Sequence, residues 1–312
     1  MYTKNPHATG HSKSLRPVLS ALLMVWLAAS GLGFCMDQHD SEKRDLAAQA
    51  KLFRELGYDG AGHLAQEFGY AGIGTRNVTV EQRAASLAAE GLRMHHVYAR
   101  VVLENENPID LKRVAEVMPT LAAHRSQLVV LLLGNRKADL DERAVTVLAQ
   151  IADLAKPHGV PVAIYPHHND YTENLTEALR IVRKLDRPDE VGVMFNLIHW
   201  QNCDPNRDLR AVLTEAAPYL KAVSINGTNK DKPAVLPLSQ GDFDNAELLA
   251  ILREIGFQHP VQTTGSPGCA GAVSCSLHHR LRSRTLQTLR KGLASRLRPP
   301  HRRGRPDHPA SQ

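Results

Sequence analysis

Between Phe34 and Pro260 the chain alternates short apolar runs with longer segments whose apolar residues recur every three to four positions. QLVVLLLG (127–134) is apolar at every position but its ends, as a strand covered on both faces must be. FCMD (34–37), GAGHLA (60–65), LRMHHVYARVVL (92–103), VPVAIYP (160–166), VGVMFNLIHW (191–200) and AVSIN (222–226) read as further strands. The intervening segments read as helices. SEKRDLAAQAKLFRELG (41–57) opens on a Ser and stops on a Gly. TVEQRAASLAAEG (79–91) has a Thr N-cap. IDLKRVAEVMPTLAAH (109–124) should bend at Pro119. The segments 139–159, 174–185, 206–221 and 245–256 complete the helical set.

Strict alternation of strand and helix implies parallel strands joined by crossover helices. The pattern predicts an α/β fold, a (β/α)8 TIM barrel with seven readable strand–helix units and its eighth unit missing or replaced. The alternative is a doubly wound open sheet, which would place a Gly-rich loop after its first strand. GYAGIG (69–74) follows no convincing strand.

The barrel reading changes the meaning of the polar residues. Tyr165, His167 and His168 fall at one strand end, Asn196 and His199 at the next, and Asn226 at the one after. Active sites of such barrels form at that face, from several strand ends at once. His95 and His96 lie inside a strand on opposite faces, and His96 would share a face with Tyr98.

Charge divides the chain. The stretch from Val261 to Gln312 holds ten of the 38 lysines and arginines and one of the 32 acidic residues. The tail is therefore strongly basic and the rest mildly acidic, which argues against a nucleic-acid-binding face on the barrel. Two readings of 261–312 stay open: a reading-frame shift near Pro260, or a genuine basic, disordered tail meeting nucleic acid or anionic lipid.

At the other end, Lys4, Lys13 and Arg16 precede an uncharged run from Pro17 to Met36, with small residues from Ala28 to Gly31. Residues 1–33 are expected to be an export segment: a cleaved signal, an uncleaved anchor or a lipoprotein signal ending at Cys35. The expected location is the periplasm or cell envelope, with no other membrane contact. Cys35, Cys203, Cys269 and Cys275 form no C-x-x-C pair, so no zinc ribbon or redox motif is indicated.

LFRELGYDGAG, IADLAKPHGVPVAIYPHH, GVMFNLIHW and LPLSQGDFDNAELLAILREIGF stand in an order and spacing that resembles the xylose isomerase-like TIM barrels. That superfamily contains sugar isomerases, sugar epimerases and related endonucleases. The resemblance spans 34–260 and implies a divalent ion (Mn, Mg, Co or Zn) held by a Glu, an Asp, a His and a final Glu at successive strand ends. Here Tyr165 occupies the first Glu position and Asn196 the Asp position, while His199 keeps the His of the same pattern. Ser224 and Gly227 replace the next His and Asp, and the last Glu has no recognisable strand. No metal ligand is assigned, because hard cations require carboxylate oxygen; a zinc-type ion on His167, His168 and His199 stays open as an alternative.

The resemblance implies a sugar isomerase or epimerase, moving a proton beside a carbonyl of a small carbohydrate. His168 and His199 are the expected acid–base groups, since imidazole titrates near neutral pH. Tyr165, His167, Asn196 and Asn226 are expected to contact the substrate. The alternatives are a non-catalytic carbohydrate-binding barrel, or a lyase or hydrolase of an oxidised sugar.

Overall fold

A computed structural model of the protein describes residues 32–36, 44–70 and 77–264. The expected export segment 1–33 as far as residue 31, and the tail from 265 onward, lie outside the described residues. Among the described residues no helix is long and apolar enough to cross a membrane.

Eight parallel strands close into a barrel: β1 (Leu32–Phe34), β2 (Gly60–Leu64), β3 (Arg93–Val102), β4 (Gln127–Leu133), β5 (Val162–Ile164), β6 (Val191–Asn196), β7 (Leu220–Ile225) and β8 (Val261–Thr263). The helices between them are α1 (Leu46–Glu55), α2 (Val80–Ala89), α3 (Leu111–Ala123), α4 (Asp141–Ala155), α5 (Leu175–Leu185), α6 (Leu197–Cys203), α7 (Leu209–Ala216) and α8 (Asn245–Glu254). The Thr79 cap of α2 is a reciprocal capping box: Gln82 N donates to Thr79 Oγ1 (3.2 Å) and Thr79 N to Gln82 Oε1 (3.0 Å). The cap of α1 is Asp45, whose Oδ1 accepts from Ala48 N at 2.7 Å.

Alternation along each strand separates two cores. Leu128, Val130 and Leu132 of β4 point outward into the layer packed against the helices. Val129 and Leu131 point inward with Ala163, Met194 and Ala222. Both faces are apolar, which is why β4 reads as a continuous apolar run.

Two expectations are corrected here. The eighth strand is present: β8 pairs with β1 (Leu32↔Val261, Phe34↔Thr263) and with β7 (Val223↔Val261, Ile225↔Thr263). Cys35 N donates to Thr263 O at 2.9 Å and Thr264 N to Ile225 O at 2.8 Å, so the ladder closes on both sides. Three residues with one aliphatic side chain carry no periodic pattern, and that is why the sequence hides this strand. Leu32 and Gly33, counted in the expected export segment 1–33, lie in β1. The second correction concerns VGVMFNLIHW. Its strand stops at Asn196, whose Oδ1 accepts from Ile198 N (3.1 Å) and His199 N (3.2 Å) and starts α6. His199 therefore stands in a helical first turn and not on a strand.

Gly62 marks a close approach. A Cβ there would sit 2.1 Å from Cys35 O and 2.8 Å from the Tyr98 ring, so only glycine lets β1 and β3 crowd β2. Nearby, the β2–β3 register skips His95, pairing Ala61 with Met94 and Gly62 with His96. Both histidines are buried, and His96 Nδ1 is 3.5 Å from the Tyr98 hydroxyl on the shared face.

A chain cut after Pro260 is expected to lose barrel closure, because β1 and β7 both become open edges. Gel filtration and circular dichroism of the cut chain should show aggregated or partly unfolded material; a monodisperse, cooperatively melting product would contradict the closure. The buried histidines set a second expectation. Burial pushes His95 down to about 4 and His96 down to about 3, against about 6.5 in an unfolded chain. Between these values the unfolded chain takes up protons that the folded one refuses. Stability should therefore be full above pH ~6.5 and fall as pH drops toward ~3. Melting temperatures across that window should show the slope, and His96→Gln should flatten it.

Candidate functional site

The C-terminal mouth is organised around one hydroxyl. Tyr165 follows β5 and points inward, 2% exposed. Its hydroxyl accepts from Asn196 Nδ2 at 2.9 Å and lies 3.1 Å from His199 Nε2. The hydroxyl has one proton and has already accepted one hydrogen bond. When the hydroxyl donates to His199 Nε2 the ring carries its hydrogen on Nδ1; when Nε2–H donates to the second lone pair of the hydroxyl, Nδ1 is bare. His199 Nδ1 is buried and has no partner in the protein. Burial, reinforced by His167 and His168, pushes His199 down to about 3, so the ring is neutral at physiological pH.

His167 packs against this group, tilted to the His199 ring and edge-on to the Tyr165 ring. Its ring centroid is 4.2 Å from that of His199 and 5.9 Å from that of Tyr165. His167 Nδ1 is 3.0 Å from the backbone oxygen of His168, which can only accept, so Nδ1 carries the proton and Nε2 keeps its lone pair. Burial lowers the His167 pKa below its ordinary value, the neighbouring backbone carbonyl opposing this. Asp170 Oδ2 stands 3.8 Å from His167 Nδ1. Burial pushes this carboxyl up to about 6 against the opposing charge of Arg100.

The expected site residues thus separate into groups. Tyr165, Asn196, His167 and His199 come together at the mouth. Tyr165 acts there through its hydroxyl, since its ring is enclosed. Asn226 is fully buried and donates from Nδ2 to Gly227 O at 2.8 Å, holding its own loop. His168 turns to the rim instead, with Nδ1 2.7 Å from Glu173 Oε1 and 3.4 Å from Cys203 Sγ. Beneath the mouth runs an interior polar chain the sequence did not disclose. Cys35 Sγ is 3.2 Å from the Tyr98 hydroxyl and 3.4 Å from Ser224 Oγ, which is 2.6 Å from Thr264 Oγ1. Asp170, Glu173 and Cys203 were also missed. The clue was two carboxylates within five residues of His168, in HHNDYTE.

The strand ends that a family-type divalent ion would use do not fit one. Tyr165 and Asn196 are neutral and committed to each other, and Asn196 Oδ1 is further occupied by two backbone N–H groups. Ser224 is the penultimate residue of β7 and Thr264 follows β8, and the two are joined by their hydroxyls. This donor set offers no carboxylate oxygen to a hard cation.

Comparison with known proteins places this geometry. The family described as xylose isomerase-like TIM barrel matches residues 50–266, past the point where the pattern seemed to stop. An inosose isomerase of Bacillus subtilis (strain 168) is 27% identical over 168 residues, covering 50% of this chain and 59% of that protein. The chain therefore spans about three-fifths of that relative. Among solved structures, 3-keto-D-glucoside 4-epimerase from E. coli superposes with a TM-score of 0.61 at 14% identity, over 82% of this chain and 99% of that one. The IOLI protein with a bound zinc atom superposes with a TM-score of 0.58 at 18% identity, over 83% and 97%. At these identities the superpositions establish the fold.

Tyr165→Phe is expected to leave Asn196 Nδ2 and His199 Nε2 without their shared partner. The cost should be about 1–3 kcal/mol, read as a lower denaturant midpoint at unchanged slope. An unaltered midpoint would mean that the hydroxyl is not the hub of the mouth.

Proposed function

The chain belongs to the xylose isomerase-like TIM barrel family, and from that premise we propose that it is a carbohydrate isomerase or epimerase whose proton transfer rests on His167 and His199. The observation that carries this reading is the pair of imidazole rings with centroids 4.2 Å apart at the mouth. In the tautomer in which Tyr165 donates to Nε2, His199 offers a buried Nδ1–H without a protein acceptor, and His167 offers an Nε2 lone pair. A neutral imidazole with a fixed tautomer is a suitable hydrogen-bond donor to a carbonyl that gains charge.

Substrate entry displaces the groups that cover the buried His199 Nδ1, and the substrate carbonyl oxygen then accepts from its N–H. His167 Nε2 takes the proton from the adjacent carbon. The C–H electrons form the C=C bond of an enediol-type intermediate, and the carbonyl π electrons move onto oxygen. Return of the proton to the former carbonyl carbon, with the hydroxyl proton of the first carbon passing to the former carbonyl oxygen, gives isomerisation; protonation of the first carbon by water from its opposite face, with the carbonyl re-formed, gives epimerisation. Asp170, beside His167 Nδ1, stabilises the imidazolium between the two transfers. The relatives' names supply the substrate class: keto-inositols and 3-keto-glycosides, cyclic polyols with one carbonyl.

The test is solvent exchange in D2O. Chelator-treated protein should incorporate deuterium beside the carbonyl of a keto-inositol or 3-keto-glucoside, followed by NMR. His167→Asn and His199→Asn should each slow exchange by about 10²–10⁴-fold. The rate should rise with pH through a His167 midpoint below ~6.5 and level off at neutral pH, because the free base is the active form. No exchange with any such substrate, alongside sugar-induced thermal stabilisation, would instead favour a binding barrel.

A further inference from the structure

The rim of the barrel carries a second cluster, separate from the mouth. His168 Nδ1, Glu173 Oε1 and Cys203 Sγ lie within 4.8 Å of one another. The first two residues are on the β5–α5 loop, and Cys203 is the last residue of α6. Both contacts of His168 fall on the same nitrogen, 2.7 Å to the carboxylate and 3.4 Å to the sulfur. A nucleophilic Cys–His–Glu relay uses the two opposite ring nitrogens, one facing the thiol and one facing the carboxylate. One nitrogen cannot serve both. A bound cation, by contrast, requires three lone pairs directed at one point.

We propose that His168, Glu173 and Cys203 form a site for Zn2+ or a similar borderline-soft cation, with a further coordination position open to water or to a substrate oxygen. Imidazole and thiolate select such an ion over Mg, Ca or Mn. Zinc bond lengths of ~2.0–2.3 Å separate neighbouring donors of a tetrahedron by roughly 3.3–3.6 Å. The sulfur–nitrogen distance already falls there, and the oxygen–nitrogen distance has to open by less than ~1 Å. The other oxygen of Glu173, Oε2, is 2.8 Å from Arg136, which orients the ligand carboxylate from behind. Burial and the Glu173 charge push the Cys203 thiol up to about 12, so the ion must displace a thiol proton on binding.

The site is read without turnover, so its fate is independent of the proposed activity. Full-length protein stripped with chelator is titrated with Co2+, then with Zn2+. The expected result is one Co2+ with a thiolate-to-cobalt charge-transfer band, displaced by one Zn2+. Cys203→Ser should abolish the band. Cys203→Ser, His168→Gln and Glu173→Gln should each weaken Zn2+ by more than the ~10–100-fold that loss of an outer partner costs. Cys35→Ser, the double variant Cys269→Ser/Cys275→Ser and His199→Asn should leave both readouts unchanged, with circular dichroism confirming each fold. Absence of the band in the parent protein, its survival in Cys203→Ser, or Zn2+ binding indifferent to His168→Gln would overturn the assignment.

Discussion

Three residues at the end of the described chain hold the barrel shut. Val261–Thr263 pair with β1 on one side and β7 on the other, and without them the sheet has two free edges. Closure fixes more than the ladder. It brings Thr264 against Ser224 and Ser224 against Cys35, tying the eighth, seventh and first strands across the interior. The strand ends of β5 and β6 can converge at a mouth only because the ring of strands is complete.

At that mouth the chemistry depends on neutral groups that satisfy one another. Anionic ligands repel and need a cation to bring them together. A tyrosine hydroxyl, a carboxamide and an imidazole converge without one. Asn196 shows the economy of the arrangement: its oxygen starts a helix while its nitrogen binds Tyr165. The helix start is what carries His199 over the tyrosine. Direction passes through the network, since whether Tyr165 donates or accepts at His199 Nε2 sets the protonation of His199 Nδ1.

The loop after β5 serves two sites at once. His167 turns toward Tyr165 and His199, and His168, the next residue, turns toward Glu173 and Cys203. Asp170 and Glu173 divide in the same way, the first beside His167 and the second beside His168. Arg136 on the neighbouring β4–α4 loop holds Glu173 through its outer oxygen, which separates the rim cluster from the mouth.

The sequence by itself determined the α/β alternation and the parallel sheet, and it placed Tyr165, His167, Asn196 and His199 at neighbouring strand ends. Those follow from burial on a period that is local and readable, as in QLVVLLLG and in the helix of 139–159. It also determined that the carboxylates of the resembling family are absent from Tyr165 and Asn196, because residue identity needs no coordinates. Only the tertiary structure decided that VQT is a strand, since a three-residue strand is made by partners on both sides and not by its own pattern. It likewise decided that His199 is helical, that the adjacent histidines 167 and 168 serve different neighbours, and that Cys203 meets His168 from 35 residues away. Side-chain direction in a loop and contact across sequence distance are set by packing, and packing leaves no periodic trace in the chain.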